Sequence, residues 1–62
     1  MKLPNYTTLS IVNLKEVNIS LIHFLDSNDY GVLSEYEWGQ QLAVREKFKS
    51  AETLYNKLIK EA

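Results

Sequence analysis

The chain has 62 residues, of which seven are basic and eight acidic, for a formal net charge of −1; 45% are hydrophobic and none is cysteine. That size bounds it to one small domain, and the hydrophobic fraction sets it apart from disordered chains. Disulfides and thiolate–metal sites are excluded, and without a basic tract the field that drives non-specific nucleic-acid binding is missing.

At about 1.5 kcal/mol of conformational cost per ordered residue, a single core of this size barely balances. Close helix packing, oligomerisation, a partner protein or an oxygen-ligated ion are the remaining sources of stability. Met1 to Thr8 holds no apolar core long enough for a signal peptide. The longest apolar stretch, Leu21 to Leu25, is interrupted by His23 and falls far short of a membrane span. The chain therefore reads as soluble and cytoplasmic.

In chain order, Pro4 and the Tyr6-Thr7-Thr8 cluster disfavour an early helix, so residues 1–12 are expected to be extended. Leu9 to Val12 is the most strand-like part. Asn13 has the chemistry of an N-cap, and Glu16 closes a capping box. Leu14, Val17, Leu21 and Leu25 then fall on one helical stripe, with Ile22 and Phe24 at its edges and Ile19 pointing away. This predicts a first helix over about 14–26.

Ser34 and Glu37 form a second capping box, with Leu33 and Trp38 at the two positions of a hydrophobic staple. No proline follows, and Gly39 costs a helix only about 1 kcal/mol. An unbroken rod of roughly 28 residues would reach about 42 Å, longer than a globule of this size is wide. A break at Ser50 resolves the conflict. The expected architecture is all-α, with helices at about 14–26, 34–48 and 51–61; the continuous rod is the alternative. Val44, Phe48, Ala51, Tyr55, Leu58 and Ala62 also trace an a/d seam. It serves either to pack the helix on its own domain or to form a homodimer or fill a partner's groove.

The segment Asp26 to Glu37, DSNDYGVLSEYE, joins the first two expected helices. With Asp26 at position 1 of a twelve-residue loop, Asn28 falls on 3, Tyr30 on 5, Gly31 on 6, Val32 on 7, Ser34 on 9 and Glu37 on 12. Flanked by Leu21, Ile22 and Leu25 before it and by Trp38 and Leu42 after it, this stretch resembles an EF-hand over less than half of the chain. The resemblance implies a helix–loop–helix that binds calcium through Asp26, Asn28, the Val32 carbonyl, Ser34 and Glu37. Tyr30 departs from the pattern, since a phenol cannot replace a short carboxylate, so the implied affinity is weak, about 10⁻⁴ to 10⁻³ M. Ser34 and Glu37 are equally explained by helix capping. A short β-bridge between 11–13 and 32–34 is expected to support the loop.

With a single histidine, His23, and no glycine-rich phosphate loop, the sequence predicts a non-enzyme. Two functions are expected from it. The first is a regulatory protein-interaction module with a degenerate calcium loop. The second is a metal-independent helical adaptor or inhibitor, active as a monomer or a dimer. In either, the partner-binding residues are Trp38, Phe48, Tyr55 and Leu58, with Tyr36 beside them.

Overall fold

Asn18–Phe24 carries apolar residues at both parities, the mark of a strand buried on two faces. In the computed structural model, which describes residues 5–61, it is β2 of a four-stranded antiparallel sheet. The other elements are β1 (Tyr6–Asn13), β3 (Tyr30–Tyr36), β4 (Gly39–Arg45) and a single described helix, α1 (Phe48–Glu61). The strands run as a meander in the order β1-β2-β3-β4. Among the described residues, no helix is long and apolar enough to cross a membrane.

The all-α expectation is overturned, and with it the EF-hand resemblance. Residues expected in helices at 14–26 and 34–48 form β2, the end of β3, and β4. Helical spacing at Val17, Leu21 and Leu25 misleads because Ile19, Ser20 and Ile22 are buried along with Val17 and Leu21, while Leu25 is exposed. Such a continuous apolar run has no period of its own to separate strand from helix. Ile19, off the expected stripe, is in fact core. Ser34 caps no helix: it is buried in β3, paired with Ile19 on one side and Gln41 on the other. The expected bridge between 11–13 and 32–34 does not form, because β2 lies between them. Ile11, Val12 and Asn13 pair with Ser20, Ile19 and Asn18 instead. Of the extended segment expected over 1–12, residues 6–12 lie in β1, and residues 1–4 lie outside the described residues.

Strand alternation gives the sheet two faces. On one, Val12, Ile19, Leu21 and Val32 pack with Val17 beneath Ala51 and Tyr55 of α1. Only part of the expected seam is turned inward: Ala51 and Tyr55 are buried and Leu58 partly so. Val44 lies in β4 and, like Phe48 at the start of α1, is exposed, and Ala62 lies outside the described residues. On the other face, Ile22, Phe24 and Leu33 form a second cluster with Leu42. Gly31 makes room there. A Cβ at Gly31 would meet Phe24 Cε2 at 3.0 Å and Leu42 Cδ1 at 3.2 Å. The glycine at position 6 of the expected ion loop therefore serves packing within a strand rather than a sharp turn.

β1 carries one irregularity. Thr8 pairs with Ile22 and Ser10 with Leu21, so Leu9 is an extra residue, a β-bulge on an edge strand.

Candidate binding surface

In a meander, alternate connections fall at the same end of the sheet. The β1–β2 turn therefore lies beside the β3–β4 turn, while the β2–β3 turn and the start of α1 lie at the far end. This simple consequence of chain order separates the residues singled out from the sequence.

Asp26 and Asn28 sit in the β2–β3 turn, and Glu37 sits in the β3–β4 turn. The seven-residue β3 separates them by about 23 Å. Val32 and Ser34 lie within that strand and are buried. Val32 lies between Leu21 and Ala43 in the sheet, so its backbone carbonyl is committed to the ladder. The five residues proposed as calcium ligands do not converge. Among the described residues, no group of three or more His, Cys, Asp or Glu side chains is placed to hold a metal ion.

At the far end, Asn28 Oδ1 accepts a hydrogen bond from His23 Nε2 at 2.9 Å. Asn28 has a φ of 58°, a left-handed conformation that asparagine tolerates better than most residues. His23 also stacks on Tyr30, with ring centroids 4.6 Å apart, and Tyr30 meets the edge of Phe48. His23 thereby braces a turn.

The four residues expected to bind a partner are also divided. Phe48 is part-exposed at the far end, packed on Tyr30. Tyr55 is buried, and its hydroxyl lies 3.0 Å from Ser10 Oγ. Leu58 packs partly buried against the core under α1. Trp38 stands apart from all three: it is 71% exposed, at the tip of the β3–β4 hairpin.

Local chain geometry holds Trp38 in that position. Glu37 and Trp38 form the two-residue turn between the paired residues Tyr36 and Gly39. Gly39 has a φ of 153°, which residues with a Cβ rarely adopt, and nothing lies within 4 Å of where a Cβ would stand. Backbone conformation, not space, demands glycine there. The Trp38 indole stacks on Tyr36, with centroids 4.7 Å apart and planes 11° from parallel. Tyr36 is anchored in turn against the helix-side core.

Two grooves open beside this pair. The first, about 530 Å³, runs between Leu14–Asn18 and Glu35–Trp38. The second, about 630 Å³, shares Leu14–Val17 and Tyr36 and passes beneath the end of α1 at Leu58 and Glu61. The β1–β2 turn that walls both is closed by a bond from Leu14 N–H to the Val17 carbonyl at 2.9 Å. The lining carries the carboxylates of Glu16, Glu35, Glu37 and Glu61 against the single ammonium of Lys15. The tip thus combines an open aromatic face, apolar floors and negative charge.

Trp38 and Tyr36 were visible from sequence as aromatic candidates. The β1–β2 turn was not, since Asn13-Leu14-Lys15-Glu16 reads equally well as a helix start. The usable signal was Gly39 just after Glu37-Trp38, a turn marker between two short β-compatible runs. Comparison with protein-family models, with curated proteins and with solved structures gives no match for this chain.

Proposed function

We propose that this protein is a small, non-enzymatic, metal-independent interaction module. It binds another protein at the Tyr36/Trp38 hairpin tip and the grooves beside it. The exposed, pre-stacked Trp38 carries this reading. Tryptophan is among the residues that dominate protein-binding energy, and a ring already immobilised loses little entropy on binding.

Charge around the tip narrows the partner's chemistry. Four carboxylates and an open indole face suit a segment presenting an arginine or lysine next to an apolar side chain. The cation would lie on Trp38, and the apolar neighbour would enter a groove. The role of His23 as a brace for the β2–β3 turn supports a non-catalytic reading. A cytoplasmic location is part of the proposal, on the sequence grounds already given.

Selection of random twelve-residue peptides displayed on phage against the immobilised full chain tests this directly. The expected outcome is enrichment of arginine or lysine beside an apolar residue, with capture lost on a Trp38→Ala chain. Peptides that show no basic enrichment, or that bind Trp38→Ala equally well, would refute the reading.

A further inference from the structure

We propose that β4 is a docking edge for a second copy of this chain. The two β4 strands pair antiparallel about a twofold axis, giving a continuous eight-stranded sheet. An unpaired strand edge is a template for another strand, and proteins usually blunt it with a bulge, a proline or charges. β1 has such a device in its bulge at Leu9. β4 has neither bulge nor proline: its register with β3 is regular from Gly39 to Arg45, and its one charged residue, Arg45, is the last.

The surroundings leave that edge accessible. α1 packs mainly over β2 and β3 and less over β4. Between α1 and β4 lies a cleft of about 480 Å³, walled in part by Ala43, Leu54 and Leu58. An incoming strand would direct alternate side chains toward this cleft and toward the opposite face, the arrangement used in recognition by strand addition.

The sequence of β4 favours its own copy as the occupant. With the axis at Leu42, Gln40 lies opposite Val44 of the second copy, Gln41 opposite Ala43, and Gly39 opposite Arg45. No like charges meet. Arg45 Nη1, which donates to its neighbour Val44's carbonyl at 2.8 Å on an exposed surface, comes beside the other copy's Glu37. Val44, 47% exposed in the single chain, adjoins the second copy's Leu42, so the two outer apolar clusters become one. Eight strands lie within the ordinary size of a sheet.

Sedimentation equilibrium of the full chain, from about 1 µM to about 1 mM, tests the pairing. The expected result is a concentration-dependent rise from 7.2 kDa toward twice that mass. Gln40→Lys with Val44→Lys places like charges directly opposite at two positions and should raise the dissociation constant about tenfold. The same load on the β1 edge, Thr8→Lys with Ile11→Lys, should leave it unchanged. Arg45→Glu should also weaken the dimer, and adding Glu37→Arg should restore it, a rescue that a folding defect would not produce. Circular dichroism on each variant confirms that the sheet is intact. A monomer at every concentration, or a dimer that responds to the β1 variants and not to the β4 ones, overturns the proposal.

Discussion

Ser10 Oγ and Tyr55 Oη lie 3.0 Å apart, a hydrogen bond that joins edge strand β1 to the buried face of α1 across 45 residues of chain. In a slab of 31 × 25 × 15 Å the helix is held to the sheet by few layers of side chains, so each such tie matters. Tyr55→Phe keeps the ring and removes the hydroxyl, and should cost about 0.5–1.5 kcal/mol. Tyr55→Ala also removes core volume and should cost about 3–5 kcal/mol. Urea denaturation of both, with Ser10→Ala completing a double-mutant cycle, measures the bond. If Tyr55→Phe is as costly in the Ser10→Ala background as in the wild type, the bond contributes nothing.

The two glycines should fail for different reasons. Gly31→Ala drives a methyl against Phe24 and Leu42 and should cost about 1–3 kcal/mol through overpacking. Relief should come from Phe24→Leu, which withdraws the ring. Gly39→Ala meets no neighbour, yet it should cost about 1–3 kcal/mol through backbone strain at φ 153°. No side-chain substitution nearby should relieve it. Thermal melts read both effects, since about 1 kcal/mol shifts the midpoint of so small a domain by about 4–8 °C.

Calcium should have no effect on the tip. Asp26 and Glu37 lie at opposite ends of β3, so no shared ion draws them together. Trp38 emission should remain constant as calcium is raised to several millimolar. A saturable change below about 1 mM, abolished by Glu37→Gln, would restore the ion-loop account.

What could be read from the sequence depended on how each segment is buried. The C-terminal helix was visible because Ala51, Tyr55 and Leu58 recur on one side of it with lysines and glutamates opposite, a one-sided burial with a clear 3.6 period. It begins at Phe48 rather than after Ser50. β2 was hidden because residues of both parities are buried, Ile19 and Leu21 under α1 and Ile22 and Phe24 in the cluster with Leu33 and Leu42 on the opposite face. In β3 the cap-like pair Ser34 and Glu37 met its spacing by coincidence, one residue in a ladder and the other in a turn. The EF-hand resemblance failed at the same place. Its ligand offsets presuppose a folded-back loop, and an extended chain carries the same residues apart.

The proposed binding tip was partly visible as the aromatic pair Tyr36 and Trp38. Their stacking could not be foreseen, because they are two positions apart and a strict strand or helix would not place them ring on ring. A turn that begins immediately after Tyr36 brings Trp38 back over it.

The most direct measurement of the central claim is an NMR titration of the ¹⁵N-labelled chain with a selected peptide bearing an arginine beside an apolar residue. The account predicts that the Trp38 indole N–H and the amides of Leu14–Asn18 and Glu35–Trp38 shift together and saturate at one stoichiometry. Shifts confined to α1 or to the Phe48 end, with the Trp38 indole unmoved, would contradict it.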